Sequence, residues 1–585
     1  MTGTDNRVRL ILGNDYDRAR EDSKQWAPEM AKDSCSLRTS VPFRAGNYWI
    51  QMPNQDQSKV MFTAVIKSGF HGYRMWRRAY DSATGSFYAG DHKTPGFNYD
   101  TSGYSGSEGK WGPATNQIDF LSSSNGSLPY GFGDGGTDGD PKNIYIGVSS
   151  NPTMFKGKRH CLIEGGYLWT SISGCAWDTA MTNRGDNDVA IIRMKGGQLY
   201  GSIFGGTNTY ADGAGGRQII CTGGKVWGWI SGGANGTSIA DQNSLAGHHW
   251  GNTYIYVGGT FELGNDTADR RVGTYINTVG RTGANDGNLF GAGCGIKPYS
   301  KYASASFNEN AWKFHECGEV LNSTVVVADE AHVRYDVYGG GNYGYNKVGC
   351  GSDVRILGGR VGGKVFGGSN NKSTGSSYIR MTGGTVEQGV YGGCNNWGIL
   401  LGDVRMDILG GTIGTDTWNT AGVYGGVYGQ NAKSATSYGD IHVRILGSGA
   451  NDVYGANNVY GANNESGKPM GKVLVTIGSN DSLATDRNLP QINGNVYGGG
   501  NMAACGTHAT TTTLTVEMLS GTVQKNVFGG GRGTTAVVNL PSGHAGLSNG
   551  RATEVFIKNG SVQGNVYGGG NAAKVIGNTH VEIGD

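Results

Sequence analysis

No apolar run in this chain approaches the ~18–20 residues of a membrane-spanning helix. The opening MTGTDNRVRLILGND also lacks the apolar core of a secretory leader. Either export does not use such a leader, or the sequence is a mature fragment. Proline is scarce, at 12 of 585 residues, and no G-X-Y period exists, which excludes collagen. The nine cysteines (35, 161, 175, 221, 294, 317, 350, 394, 505) form no CxxC pair, which argues against zinc-finger and thioredoxin-like chemistry. They read as isolated small side chains, with a Cys161–Cys175 disulfide left open. Net charge is only +2, so nothing marks the chain as a nucleic-acid-binding particle. No GxGxxG or GxxxxGK precedes a helix, so the glycine runs are not phosphate loops.

Glycine and aromatics are abundant instead. Glycine supplies 106 residues, well above the usual share of about 7%. With Tyr 30, Phe 16 and Trp 12, the chain carries too many rings for a solvated, disordered polymer. The glycines recur in register. NVYGGGN stands at Asn495–Asn501 and again at Asn565–Asn571, with DVYGGGN from Asp336, KVFGGSN from Lys364, GVYGGCN from Gly389 and NVFGGGR from Asn526. Upstream of each lies an alternating strand, a Gly-Gly-type corner and a short T-V or S-V strand, as in IRMTGGTVEQGVYGGCN from Ile379.

Short β-branched strands broken by Gly and Asn, with no 3.6-residue stripe, fit the coils of a parallel β-solenoid at ~25–40 residues per coil. One coil cannot bury its apolar face alone; stacked coils share a core. Corner glycines allow φ > 0 or a close backbone approach. The closing Asn suits a left-handed corner, and Asn342, Asn370, Asn395, Asn501 and Asn571 are expected to stack as an amide ladder. Val and the following ring point to opposite faces, one to the core and one to the outside or a neighbouring corner.

The expected fold is therefore all-β: a parallel β-helix with long loop insertions and an N-terminal helical cap. Residues 1–60 hold a strand and that cap, with the helix over Asp17–Lys32; 61–190 hold elaborated early coils with a long insertion; 191–585 form the regular solenoid. NTHVEIGD opens another strand and stops at a corner. The natural chain is thus expected to continue beyond Asp585, or another subunit to cover this end.

The VYGGGN, GGTV and VRILGG elements over roughly Ile191–Asp585 resemble the glycine-rich β-solenoid repeats of very large surface proteins in gut and oral bacteria of the Bacteroidota type. The resemblance implies secretion and cell-surface display in an adhesive or structural role, and brings no catalytic residues with it. The coil pattern is also similar to right-handed parallel β-helices, a class that includes polysaccharide lyases, phage tailspikes and adhesins.

Candidate ligand contacts are few. Arg193, Arg355, Arg380 and Arg444 each precede a corner glycine by three residues, and Arg405 lies two positions off that register on the same face. Stacked in phase, Arg355, Arg380, Arg405 and Arg444 form a column whose like charges an acidic polysaccharide would relieve. The plainer reading is a solvated face with local acids such as Asp407 and Glu517. Trp49, Tyr73 and Trp76 belong to an aromatic cluster that is either a sugar platform or the core of a cap. Asp134, Asp138 and Asp140 in DGGTDGD offer hard oxygen ligands to calcium, or merely form a surface turn. HHW at His248–Trp250 reads as a loop feature. No other cofactor is expected. The leading expectation is a non-enzymatic extracellular or cell-surface solenoid whose partners are a polysaccharide or surface glycan and neighbouring solenoid segments, with no nucleic acid and no membrane insertion. The alternatives are a β-helix polysaccharide lyase or hydrolase, and a phage or secretion-associated fibre.

Overall fold

The computed structural model describes the first 160 residues only through the backbone of isolated strands. From residue 161 to 584 it describes most side chains. The main stretches outside the described residues there are 175–188, 208–214, 237–246, 265–286, 296–317, 415–420, 430–435, 448–457, 481–488, 506–512 and 534–550, with a few positions between. The chain forms two compact units, Met1–Asn235 with Thr260–Asn288, and Gly236–Gly259 with Leu289–Asp585. Among the described residues there is no helix, and both units are built from stacked parallel strands.

In the first unit three parallel ladders form. Asp56–Ile66, Lys156–Ile163, Ala190–Met194 and Arg217–Cys221 make the long-strand ladder. Tyr48–Gln51, Ile144–Tyr145, Ile172–Ser173, Ile203–Phe204 and Ile230–Ser231 make the second. His71–Gly72, Tyr167–Leu168, Gln198–Leu199, Lys225–Val226 and Glu262–Leu263 make the third. The expected cap helix falls largely outside the described residues. Its end is a correction: Met30–Ala31 is extended and pairs antiparallel with Ser34–Cys35.

The second unit repeats the scheme with greater regularity. Its long strands run from Thr253–Val257 through Ser323–Val327, Gly351–Ile356, Ser376–Met381, Val404–Ile408, Ile441–Ile445, Val473–Ile477 and Leu514–Met518 to Arg551–Ile557 and Asn578–Ile583. Burial alternates along them: Val354 and Ile356 are buried while Arg355 is exposed, as a strand's period of two requires. After most of these long strands the corner places a glycine at positive φ, for example Gly359 (73°), Gly384 (77°) and Gly411 (97°), a conformation L-residues resist; after Ser323–Val327 Asp329 adopts it instead (55°).

The VYGGGN strands form their own ladder, from Leu289–Phe290 and Val337–Tyr338 through Val365–Phe366, Val390–Tyr391, Gly422–Tyr424, Asn458–Tyr460, Val496–Tyr497 and Val527–Phe528 to Val566–Tyr567. Up to Phe528 both residues of the pair are buried. The valines line the shared interior. The rings leave by the opposite face and stack on one another: Phe290, Tyr338, Phe366, Tyr391, Tyr424, Tyr460, Tyr497, Phe528 and Tyr567 have neighbouring centroids 4.6–5.0 Å apart and ring planes within 4–20°. Each such contact adds about 0.5–1.5 kcal/mol beyond area burial. The corners close over the rings, with Asn395, Asn464 and Asn571 donating to the hydroxyls of Tyr338, Tyr391 and Tyr497.

The glycines after the ring serve close approach, not left-handed backbone. A Cβ on Gly339, Gly392, Gly425 or Gly498 would lie 2.1–2.4 Å from the carbonyl oxygen of the equivalent glycine in the next coil. The same carbonyls accept hydrogen bonds from the long strands: Thr253 and Thr553 hydroxyls donate to Gly291 and Gly568 at 2.6 Å, and Ser352 and Ser377 to Gly367 and Gly392. The asparagine is likewise not the left-handed residue. That conformation falls one position later, on Tyr343, Asn371, Asn396, Glu465, Met502 and Ala572, with φ of 52–66°.

Two outcomes follow for stability. Gly392→Ala puts a methyl against Gly425 O at 2.2 Å and Val404 Cγ1 at 2.4 Å, whereas a Cβ at Gly216 meets nothing within 4 Å. The first substitution is expected to destabilise by about 1–3 kcal/mol in chemical denaturation and the second hardly at all. Separately, burial first, and then Asp336 for Tyr338 and Tyr424 for Tyr391, push these phenols well above the ordinary value. A phenol held neutral stabilises the fold fully below its unfolded pKa and loses that contribution as pH rises past about 10. Alkaline titration followed by phenolate absorbance should therefore show these tyrosines ionising together with unfolding; gradual ionisation of a folded chain would contradict the buried stack.

Candidate functional site

The outward face of the second unit's long strands carries the charged candidates, because inward positions are taken by Val, Ile and Met. Two columns of outward residues run along it. One passes through Tyr254, Thr324, Asp353, Tyr378, Arg405, His442, Leu474, Thr515, Glu554 and His580; the other through Tyr256, Val326, Arg355, Arg380, Asp407, Arg444, Thr476, Glu517, Phe556 and Glu582. The expected arginine column is thus corrected. Arg355 and Arg380 are direct neighbours, Asp407 separates them from Arg444, and Arg405 sits in the adjacent column beside Tyr378 and His442. Arg193 belongs to the first unit, exposed between Leu162 and Ile220.

Local acids neutralise part of this charge. Arg355 bonds Asp353 on its own strand at 2.6 Å. Arg405 and Arg444 converge on Asp407 at 3.2 and 2.5 Å, and Tyr378 donates to the same carboxylate at 2.9 Å. Burial opposes ionisation of Asp407, but the hydrogen bonds from Arg444 and Tyr378 outweigh it and hold the carboxyl below its usual range. The Arg405 guanidinium also lies 5.6 Å from the Tyr378 ring centroid. His442, which faces Thr476 at 3.1 Å, is held below the ordinary imidazole range by burial and then by Arg444. Arg380 is exposed and has no acidic partner among the described residues. The face therefore carries a net positive centre.

The asparagine ladder divides in two. Asn395 donates to Asn370 and Asn370 to Asn342, each at 3.0 Å. Tyr428 then occupies the ladder position, Asn464 and Asn501 pair at 2.8 Å, and Arg532 stands between Asn501 and Asn571. A second ladder escaped the sequence reading. In the later coils the Asn before the Val-ring pair accepts the next coil's backbone amide: Asn458, Asn495 and Asn526 accept from the amides of Asn495, Asn526 and Asn565 at 2.8–3.0 Å. The repeated NVY/NVF spelling is its signal.

Other candidates contribute no site here. Tyr73 and Trp76 lie outside the described residues, and Trp49 is described only as backbone opposite Ile11 and Tyr145. Asp134, Asp138 and Asp140 lie in an antiparallel hairpin of which only the backbone is described. Among the described residues no group of three or more His, Cys, Asp or Glu is placed to hold a metal. His248 is buried and its ring lies 4.3 Å from that of Trp250, so this motif is interior packing, not an exposed loop tip. Cys161 is a free thiol, not a disulfide, and burial pushes it up to about 12. No known protein family, curated protein or solved structure matches this chain.

Asp407 is the hub of the charged cluster, with its side chain only 5% exposed. Asp407→Asn is expected to lose about 1–3 kcal/mol of stability at neutral pH. Because the folded carboxyl titrates below the unfolded one, that difference is full above about pH 4 and shrinks as the wild type is protonated through its lower folded value. Denaturation midpoints of both proteins across roughly pH 2–7 should converge at the acid end; a constant gap would remove the charge from the explanation.

Proposed function

We infer that this chain is a structural and adhesive solenoid of an extracellular or cell-surface assembly, and that its basic face contacts acidic glycans. The observation that carries the reading is Arg380, exposed next to Arg355 without an acidic partner of its own among the described residues. Like charges on neighbouring strands are unfavourable. An arginine pair at strand spacing suits a polymer that presents carboxylates or sulfates in series, each taken by a planar guanidinium fork. Tyr254 and Tyr378 lie on the same face and supply aromatic surface beside the arginines, Tyr254 being 36% exposed. The scaffold suits a mechanical role, since stacked coils bond their neighbours on both sides throughout the regular stretch. The resemblance of the VYGGGN repeats to bacterial surface solenoids supports the same location.

A glycan array read with the wild type and Arg355→Ala/Arg380→Ala tests this. Uronate- or sulfate-bearing glycans should bind the wild type with strong salt dependence, and the double variant at least ten-fold more weakly, about 1.4 kcal/mol. Equal binding by both proteins removes the arginine pair from the reading. Release of unsaturated uronate product by the wild type would point to a lyase instead.

A further inference from the structure

The outward face is polarised along the coil stack. Arg380, Arg405 and Arg444 occupy three consecutive strands. Then comes Val473–Ile477, whose outward-parity residues are uncharged: Leu474, half-buried, and Thr476, buried beside His442. The next three strands bear Glu517, Glu554 and Glu582. The order of columns matters. Arg444 and Glu517 share one column, one strand to either side of Thr476; Arg380 and Glu582 share that same column, three strands to either side. Arg405 and Glu554 share the other column, two strands to either side of Leu474.

We propose that two copies of this chain pair face to face and antiparallel through these strands, about a two-fold axis running along Val473–Ile477. Such an axis turns the stack end for end but keeps each column opposite itself, the self-complementarity an isologous contact needs. Each of these three arginines then meets a glutamate: Arg444 faces Glu517 of the second copy, Arg405 faces Glu554, and Arg380 faces Glu582, each pair made twice. Tyr378 faces His580. The one mismatch sets Phe556 opposite Asp407, whose charge Arg405 and Arg444 already balance. The parallel alternative sets basic strands on basic strands and acidic on acidic, so it is disfavoured. Alignment over this length needs little rotation between coils. The ring stack supplies that evidence, with neighbouring planes from Tyr391 to Phe528 within 5°.

The glutamates' present partners do not compete strongly, while Arg405 and Arg444 would share themselves between Asp407 and the second copy's Glu554 and Glu517. Glu517 bonds Lys558 at 2.6 Å and Glu582 approaches His580 at 3.2 Å, both at exposed positions where ion pairs contribute little. Strands of five to seven residues stacked from Ser376–Met381 to Asn578–Ile583 offer roughly 500 Å² per copy, about 1,000 Å² in total, which fits a reversible, salt-sensitive dimer and not an obligate one. The pairing rests on the solenoid being a rigid scaffold, and not on glycan binding, although both would use the same arginines.

Charge reversal with the full chain tests the pairing. Light scattering on a sizing column should give a monomer–dimer equilibrium for the wild type at low salt, and monomer at about 1 M salt, where the Debye length is about 3 Å. R380E/R444E and E517R/E582R should each be monomeric, with circular dichroism confirming that both fold. Mixed together they should form a heterodimer, because each reversed set then meets its opposite; the quadruple variant should pair with itself. A wild type that stays monomeric at low salt, or single-set variants that pair as well as the wild type, would overturn the proposal. Glycan binding separates the two readings: R380E/R444E should lose it, while E517R/E582R should keep it whether or not pairing is lost.

Discussion

The spacing of the regular coils depends on a missing Cβ. At the first glycine after each ring, the carbonyl of the equivalent glycine in the next coil occupies the space a side chain would need, 2.3 Å from the ideal Cβ of Gly339 and 2.1 Å from that of Gly425. With those backbones in contact, the coils approach to the spacing of hydrogen-bonded strands, and three further things become possible at once. The rings reach stacking distance, the asparagine amides bond from coil to coil, and long-strand hydroxyls reach the glycine carbonyls. A larger residue at the corner would disturb all three. The glycine content that suggests flexibility in an isolated peptide thus produces its opposite in a stack, because the entropy of ordering each corner is offset by contacts on both sides.

Much of this architecture was legible in the sequence. The period-two strands, the Gly-Gly corner and the repeated ring-glycine motif identify stacked parallel coils, since no helix burial pattern accompanies them. What was not legible was the division of labour among the small residues. Spelling alone cannot separate a glycine at positive φ, such as Gly384, from one squeezed by a neighbouring carbonyl, such as Gly392. The left-handed position was displaced by one for the same reason: it accepts Tyr343, Glu465, Met502 and Ala572 as readily as Asn371, so no residue type marks it. The interrupted ladder shows the limit of motif matching. Tyr428 and Arg532 take asparagine positions because the constraint there is a backbone bridge, which any side chain permits.

The arginine face shows a different limit. Strand parity correctly places these residues outward, and the offset from the corner glycine sets the column each joins. Arg405 precedes Gly410 by five residues and Arg380 precedes Gly383 by three, so the two fall in different columns. Asp407 fills the column position instead, and it is Asp407 that gathers Arg405, Arg444 and Tyr378. Local neutralisation therefore stands beside real excess charge on one face, and only the register separates the two.

That register also bears on what the face is for. Two unit charges at strand spacing repel by roughly 1 kcal/mol in water and more beside a protein surface. Arg355 and Arg380 accept that repulsion while acidic residues collect on strands further along the same columns. Asp353 and Asp407 relieve part of it within the basic strands, but Arg380 has no acidic partner among the described residues, and the nearest glutamate in its column, Glu517, lies four strands on. Segregation is unfavourable within one molecule and is relieved when something of opposite charge lies across the basic strands. An acidic polymer would do so at the arginines alone. A second copy does so at both ends of the face, which accounts for the glutamates as well as the arginines.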